Sequence, residues 1–325
     1  MKSLSLVLFG LLLFCTTVSA QEEFYLHPQG NGNGHSWKSA SSDLQKVLSR
    51  TESGDVVHLA AGTYVPTTTG DRTASFSIPE GVTLIGGYAK QNPGIPQPDL
   101  HATVLSGEIG APGADDNSYT VVLLRGSSEK TILSSLTIAH GNANAESGAP
   151  EHQRGGGIFV DGSESPARPT LDRIVFLSNN ASEGGALYNY GRSGEASPAL
   201  VNCTFQNNSA DLDGGAVYND GALNGKAAPS FIGCSFSKNL AAFGAAIFVG
   251  KGNAGTEFVV QNCAFRNNDA LLWGGAIHSL SAADDCRLRL SQCRFSNNYP
   301  TNINKMNTTK QNIEGERVLI QNVTR

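Results

Sequence analysis

Three carboxylates in a short stretch are the residues whose types and spacing best suit chemistry. Glu183 and Asp213 each directly precede a glycine pair, and Asp211 comes two residues before Asp213. If the two glycine pairs occupy equivalent places in consecutive turns of a repeating fold, Glu183 and Asp213 stack about 4.8 Å apart. Asp211 then lies on the same side of the extended segment. A flexible cluster of oxygen ligands favours Ca²⁺ over zinc or copper. The cofactor predicted for this site is therefore calcium.

The close spacing of these three carboxylates also has a catalytic consequence. Repulsion between like charges raises the pKa of one carboxyl, so Glu183, Asp211 and Asp213 are also the predicted candidates for a general acid. Glycoside hydrolysis uses two carboxyl groups about 5 to 9.5 Å apart, a separation that neighbouring turns can supply. The alternative is that the segment simply displays solvated acids, and the sequence leaves this open.

A column of ring side chains accompanies the acids. Each member directly follows an aliphatic residue, and the members recur every 29 or 30 positions. They are Phe159, Tyr188, Tyr218, Phe248 and His278. If the aliphatic residues point inward, strand alternation places the rings outward, where they predict a platform for sugar rings. Trp273, with Phe243, adds an apolar shoulder beside the acids. The open alternatives are that a segment covers the rings or that they are the inward set.

A tandem repeat must position these side chains. Its units pair Phe-x-x-Asn with a Gly-Gly-Ala-like phrase, and the phenylalanines recur every 29 to 31 residues. Each unit holds two short apolar runs separated by Asn, Gly, Ser and Asp, without the 3.6-residue stripe of a helix. The unit is also short for a four-stranded propeller blade. The predicted fold is therefore all-β, a single-stranded parallel β-helix solenoid in which like residues stack on like.

Two further columns are predicted to be structural. The Asn of each Phe-x-x-Asn forms an asparagine ladder at a turn, because Asn tolerates left-handed backbone and bonds to neighbouring backbone groups. Its members are Asn179, Asn208, Asn239, Asn268 and Asn298. Cys203, Cys234, Cys263 and Cys293 are predicted to be buried, unpaired and free of metal. In-register Cβ atoms about 4.8 Å apart exceed the ~3.8 Å that a disulfide prefers, and Cys-x-x-Cys spacings are absent.

The alternating Gly-Gly-Ala-Ile/Leu and Phe-x-x-Asn phrases, over about residues 155–298, resemble the repeats of chlamydial polymorphic outer-membrane proteins. The phrase from Gly54 to Tyr64 and the apolar segments that follow resemble the entry region of the pectate-lyase-like superfamily. These resemblances imply a right-handed β-helix and a surface location, with adhesion in one family and polysaccharide cleavage in the other. The lyase and polygalacturonase signatures are absent apart from Asp284-Asp285 and His140-Gly141.

The chain divides into an export signal, residues 1–20, an N-terminal cap with the first coil, 21–62, and the solenoid, 63–325. The signal has Lys2 before an apolar run and small residues before Gln21. Its Cys15 follows Phe14, which disfavours a lipid anchor. In the cap, Ser42 and Gln45 predict a capping box for a short amphipathic helix that covers the end of the core.

The chain has a net charge of −5. It therefore lacks the basic stripe that binding to nucleic acid requires. The first functional hypothesis is an exported, monomeric, non-catalytic protein, adhesin-like, that binds a polysaccharide or cell-surface glycan. It has no transmembrane segment once the signal is removed, and it resides in the periplasm, at the outer membrane or outside the cell. The alternative is a polysaccharide lyase or glycoside hydrolase. A polar insertion with His152 and Arg154 either serves such a site or is a solvated loop.

Overall fold

A computed structural model describes residues 21–91, 93–253, 255–280 and 287–305, together with the strands Ile313–Glu314 and Leu319–Gln321. The predicted export signal, residues 1–20, lies outside the described residues. The chain winds into a parallel β-solenoid, and successive turns pair in parallel, mostly residue for residue. This agrees with the all-β parallel fold that the repeat predicts.

Four sheets run along the solenoid, met within each turn in the order sheet A, sheet B, corner sheet and sheet C. Sheet A comprises Glu23–Leu26, Val56–Ala60, Thr83–Tyr88, Ile132–Ser134, Thr170–Asp172, Ala199–Val201, Ser230–Ile232, Glu257–Gln261, Arg287–Ser291 and Ile313–Glu314. Sheet B comprises Gly62–Tyr64, Thr103–Ser106, Thr137–Ala139, Val175–Leu177, Thr204–Gln206, Ser235–Ser237, Ala264–Arg266, Arg294–Ser296 and Leu319–Gln321.

The other two sheets meet at the corner that carries the predicted site residues. The corner sheet comprises Asn142–Ala143, Asn180–Glu183, Ser209–Asp213, Leu240–Phe243 and Asp269–Trp273. Sheet C comprises Phe76–Ser77, Val122–Arg125, Ile158–Asp161, Leu187–Tyr190, Val217–Gly221, Ile247–Gly252, Ile277–Ser279 and Ile303–Lys305.

One continuous apolar core fills the solenoid. Its most regular part is a stack of the repeat phenylalanines, whose ring centroids are 4.5 to 4.8 Å apart from Phe176 to Phe295. Cys203, Cys234, Cys263 and Cys293 are free and buried, as predicted. The Sγ atoms of Cys203 and Cys293 lie 3.2 and 3.3 Å from backbone oxygens of the preceding turn. The thiols therefore act as small core side chains.

The asparagine ladder is confirmed, with one correction. Asn208 donates from Nδ2 to the Phe176 carbonyl at 3.0 Å, and its Oδ1 accepts from the backbone N–H of Asn179 at 3.0 Å. The left-handed backbone, however, belongs to the residue before each ladder Asn, such as Asn207 with a φ of 55°. The prediction was wrong by one residue because the turn requires the strained conformation one position earlier.

In the described residues the strands are interrupted by two 3₁₀-helices, Trp37–Ser39 and Pro150–His152, and by one short α-helix, Leu44–Leu48. The α-helix buries Leu44, Val47 and Leu48 in the same core. Its N-cap is Asp43, whose Oδ1 accepts from the backbone N–H of Lys46 at 2.9 Å. The capping box predicted from Ser42 was therefore one residue out of register. Gln45 instead donates to the Ser75 carbonyl, at 2.8 Å.

The role of this helix as a cover for the end of the solenoid stays a prediction, as do the boundaries at residues 62 and 63. Among the described residues, none of the helices is long and apolar enough to cross a membrane.

Candidate functional site

Five side chains that each precede a glycine form a column along the outside of the corner, here called the corner column. Its members are Arg154, Glu183, Asp213, Phe243 and Trp273, in register on successive turns. The following glycine turns the chain toward sheet C with a positive φ, 64° at Gly184 and 70° at Gly214. A Cβ added to Gly184 would lie 2.7 Å from the Leu187 carbonyl oxygen, so the sequence needs glycine there.

The predicted ring column also stands in register, on sheet C. Its members are Phe159, Tyr188, Tyr218, Phe248 and His278. The aliphatic residues before them belong to the main core, as predicted. The rings lie on the other face, but Phe159, Tyr188, Phe248 and His278 are each at most 1% exposed, and Tyr218 is half-buried. The prediction of an exposed sugar platform is therefore wrong for those four side chains.

The corner column is what covers the rings. The Arg154 guanidinium lies over the Tyr188 ring, with its Cζ 5.6 Å from the ring centroid. Phe243 packs against His278 at a centroid distance of 5.3 Å. At these two positions the side chain before the glycine lies over the outer face of sheet C. The sequence left open the alternative that a segment covers the rings, and the structure agrees with that alternative.

At its N-terminal end the corner column is charged and internally paired. Arg154 Nε donates to Glu183 Oε2 at 2.7 Å. Beneath this pair, Tyr188 Oη donates to Asp220 Oδ2 at 2.9 Å, and Arg192 Nη1 lies 3.5 Å from the same oxygen. Burial, and then the charge of Asp220, raises the pKa of Tyr188 far above its ordinary value, so the phenol keeps its proton.

Asp213 is the unusual acid of the corner. Burial first, and the charge of Glu183 second, raises the pKa of its carboxyl from 3.8 to about 7. The sequence predicted a raised pKa at one carboxyl of this group, although crowding was the cause it invoked and burial contributes more. At neutral pH Asp213 is therefore divided between its acid and its carboxylate.

Asp211 does not join the other two acids. Glu183 and Asp213 stand in register as predicted, but the pairing is irregular before Asp213, and Asp211 is exposed. In the part of the chain that the structure describes, no three His, Cys, Asp or Glu side chains are grouped as metal ligands. The predicted three-carboxylate patch is thus not formed. Calcium binding by Glu183 and Asp213 stays a prediction.

At its C-terminal end the corner column is apolar and open. Trp273 is 48% exposed, and its ring centroid lies 5.8 Å from that of Phe243. Other large apolar side chains of the corner strands, and of the turn that follows them, are also exposed and are here called the apolar patch. Besides Trp273, the patch comprises Leu212, Leu240, Leu271, Leu272 and Tyr299. Exposed large apolar side chains on neighbouring strands are candidates for an interaction surface.

Sequence reasoning found Trp273 and missed the leucines. Leu212 and Leu272 lie in corner strands of five residues, whereas the alternate strands have four. The extra residue coincides with irregular register, which is how a β-bulge pushes a side chain outward. The signal was present, because the spacing from the repeat Phe to the next glycine alternates between eight and nine residues.

The polar insertion contributes one residue to the corner. Arg154 joins the corner column, but His152 stacks on Tyr119 at a centroid distance of 4.9 Å. Glu151 pairs with Arg125. His152 and Glu151 therefore make contacts of their own, and a role of the insertion at a binding or catalytic site stays a prediction.

These features define a parallel β-solenoid with a mixed polar and apolar corner on its outer surface. The family described as right handed β-helix region matches residues 116–318, which is more than half of the chain, so the protein belongs to that family. The match shows the right-handed fold that was predicted. No curated protein matches the chain. The resemblance to chlamydial polymorphic outer-membrane proteins stays a prediction.

Proposed function

We propose that this protein is exported and binds a polysaccharide or cell-surface glycan at its corner sheet, without catalysis. The observation that carries the proposal is the composition of the corner column, which passes from paired charges through Asp213 to Phe243 and an exposed Trp273. Sugars offer both hydroxyl groups and apolar ring faces, so they suit a surface that presents hydrogen-bonding groups beside aromatic rings.

The charges favour a binding role as well. Glu183 is neutralised by Arg154, and the raised pKa of Asp213 lowers its charge near pH 7. The corner column can therefore accept and donate hydrogen bonds while its own members carry little net charge. Little desolvation of fixed charge is then needed when a glycan covers it.

A binding screen tests the proposal. The mature protein is titrated with soluble neutral, acidic and amino-sugar polysaccharides. The same titrations are repeated on the Trp273→Ala and Asp213→Asn variants, whose folding is checked by thermal unfolding. Leu223→Ala is the matched control, since Leu223 is 65% exposed and lies outside the corner. We expect both corner variants to bind at least about fivefold more weakly, and the control to bind normally. Absence of binding across the screen, or equal binding by all variants, contradicts the proposal.

A second function, polysaccharide cleavage, is favoured by one observation. Asp213 has a pKa of about 7 and stands in register with Glu183. A protonated carboxyl beside a carboxylate is the pair that a glycosidase uses, the first to protonate the leaving oxygen and the second to act as base or nucleophile. Release of reducing or unsaturated ends, abolished by Asp213→Asn, would replace binding by catalysis as the function.

Three finer proposals accompany this one. The α-helix Leu44–Leu48 covers the N-terminal end of the core, since its buried face joins the core there. The chain is cleaved after Ala20 and functions as a monomer.

The third proposal is that Glu183 and Asp213 bind Ca²⁺ when Asp213 is ionised. Calorimetric titration with Ca²⁺ above pH 8 tests this, and identical heats for the wild type and Asp213→Asn would contradict it.

A further inference from the structure

The polar insertion, residues 144–154, separates two positions that the next turn keeps almost adjacent. Ala143 pairs in register with Ala181, and Arg154 pairs with Glu183. Ten residues, 144–153, lie between Ala143 and Arg154, whereas Ser182 alone lies between Ala181 and Glu183. The chain must therefore leave the corner and return to it before Arg154 can join the corner column.

The insertion closes on itself just before Arg154. The Ala145 N–H donates to the His152 carbonyl at 3.0 Å, which brings the two ends of the excursion together. Pairing with the next turn resumes one residue later, where the Ser182 N–H donates to the Gln153 carbonyl at 3.0 Å. His152 is therefore the last residue of the excursion, two positions before Arg154.

Arg72, from an earlier turn, holds the start of the insertion. Its Nε donates to the Asn117 carbonyl at 2.7 Å. Its Nη2 donates to the Asn142 carbonyl at 3.0 Å and to Asn144 Oδ1 at 2.7 Å. The planar guanidinium reaches these three acceptors at fixed angles, which a single lysine ammonium on its flexible stem does not reproduce.

The same guanidinium reaches the end of the insertion through a ring. Arg72 Cζ lies 4.2 Å from the centroid of Tyr119, and the His152 ring stacks on Tyr119 at a centroid distance of 4.9 Å. The Tyr119 N–H also donates to the Arg72 carbonyl at 2.8 Å. Arg72, Tyr119, Asn144 and His152 are here called the Arg72 clamp, because one arginine contacts the start of the insertion directly and its end through Tyr119.

The bond that the clamp serves is the one between Arg154 and Glu183. Arg154 Nε lies 2.7 Å from Glu183 Oε2, and the two side chains are 26% and 18% exposed. Such a charge-assisted bond is short and directional, so it depends on where the backbone of Arg154 stands. A displaced insertion would weaken this bond and leave the half-buried carboxylate of Glu183 without its cation.

The charge of Glu183 acts in turn on Asp213, which stands in register with it on the next turn. Burial first and this charge second raise the pKa of Asp213 to about 7. Since Arg154 offsets the charge of Glu183, loss of their contact would raise the pKa of Asp213 further. The other ionisable groups around Asp213 are Asp211 on its own strand and, on sheet C, Tyr218 with Asp220 beyond it.

We infer that the Arg72 clamp is the positioning device of the corner, which fixes the insertion so that Arg154 stays paired with Glu183. This inference rests on the proposed function and adds to it the residue that regulates the charge of the glycan-binding column. Arg72 acts through the insertion, so it is a positioning residue.

Titration of Asp213 tests the clamp without a ligand. The mature chain is labelled with ¹³C-aspartate, and the Asp213 carboxyl signal is assigned by its loss in Asp213→Asn. We expect Arg72→Lys and Tyr119→Leu, which both keep the net charge, to raise the midpoint of Asp213 by about 0.5 to 1 pH unit. Arg173→Lys is the matched control, since Arg173 bonds across turns to Ser134 Oγ at 3.2 Å but lies between sheets A and B. Its midpoint should equal that of the wild type.

A second background separates positioning from a general loosening of the fold. In Arg154→Gln there is no arginine left to position, so adding Tyr119→Leu should not move the midpoint further. Equal shifts in both backgrounds overturn the inference, as do unchanged midpoints in Arg72→Lys and Tyr119→Leu. A shift in Arg72→Ala that is absent from Arg72→Lys and Tyr119→Leu assigns the effect to the charge of Arg72 and also overturns the clamp. Thermal unfolding checks that each variant is folded, and either of the two clamp variants suffices for the test.

Polysaccharide binding then separates this inference from the proposed function. The same variants are titrated with the soluble neutral, acidic and amino-sugar polysaccharides. We expect Arg72→Lys and Tyr119→Leu to bind at least about threefold more weakly, because a glycan would cover an unpaired Glu183, and Arg173→Lys to bind normally. A raised midpoint with unchanged affinity overturns the regulatory role while binding stands. If the wild type binds none of the polysaccharides, the proposed function fails, and the midpoint of Asp213 alone upholds or overturns the clamp.

Discussion

Arg154 and Glu183, on neighbouring turns of the corner, share a 2.7 Å hydrogen bond that leaves Asp213, one turn further on, as the acid of the column with a strongly raised pKa. Glu183 is both the carboxylate of the ion pair and the charged neighbour of Asp213. Removing the cation should therefore affect both the stability of the corner and the protonation of Asp213.

The first prediction concerns that cation. Arg154→Gln leaves the largely buried carboxylate of Glu183 unpaired, so we expect the free energy of unfolding at pH 7 to fall by about 1 to 3 kcal/mol. Arg154→Gln/Glu183→Gln should recover most of the loss, because no charge is then left alone. Equal losses in the single and double variants, in urea titrations, would show that the pair is not coupled.

Asp213 gives the protein a pH dependence of a definite sign. Its pKa is about 7 in the folded chain and 3.8 as a free side chain, so between these values the folded state holds more protons than the unfolded state. Stability from this group is complete below pH 3.8 and is lost as the pH rises through 7. Because the carboxyl is partly solvated, we expect a loss of about 2 kcal/mol rather than the full linkage value.

Asp213→Asn isolates this effect. The amide cannot ionise, so the variant should be more stable than the wild type at pH 8 and close to it at pH 5. Chemical unfolding at both values of pH measures the difference. A wild-type advantage that grows from pH 5 to pH 8 would mean that the ionised carboxylate is the form the fold prefers.

His278 introduces the opposite dependence. Its side chain is fully buried between Phe243 and Phe248, and neither ring nitrogen has a hydrogen-bond partner among the described residues. Burial lowers its pKa from 6.5 to about 4. The stability it contributes is present above pH 6.5 and is lost as the pH falls toward 4. We expect the wild type to lose about 1 to 2 kcal/mol by pH 5 through this group.

His278→Phe should remove that acid sensitivity, since phenylalanine occupies the neighbouring position of the same column at Phe248. The variant is expected to match or exceed the wild type at pH 5 in thermal unfolding. Leu223→Ala, a non-titrating change at a 65% exposed site, is the control and should leave the pH profile unchanged. An identical acid slope in His278→Phe and the wild type would assign the slope to other groups.

The sequence predicted the periodic features of the fold because a solenoid repeats its own register. Once Phe205 and Phe236 are equivalent, the columns of Asn239, Cys234 and Asp213 follow, and the structure contains each of them. Strand alternation also separated core residues such as Leu187 from their outer neighbours. Equivalence along the axis is thus readable from spacing alone.

Distances across the corner were not readable in the same way. Whether the outer face of Tyr188 is open depends on how sharply Gly184 turns the chain and on where Arg154 then points. The exposure of Leu272 depends on a bulge. Such features depend on departures from the repeat, and the repeat by itself predicts only the average turn.

The last prediction tests the asparagine ladder. Asn208 is fully buried, and its side chain bonds to the turn on each side, donating to Asn239 Oδ1 at 3.1 Å and accepting from the Asn179 backbone at 3.0 Å. Asn208→Ala leaves those buried groups unpaired, so we expect the free energy of unfolding to fall by about 1 to 3 kcal/mol. Asn31→Ala, at an exposed position, should change it by less than about 0.5 kcal/mol. Equal denaturation midpoints for the two variants would mean that water or relaxed backbone replaces the ladder bonds without cost.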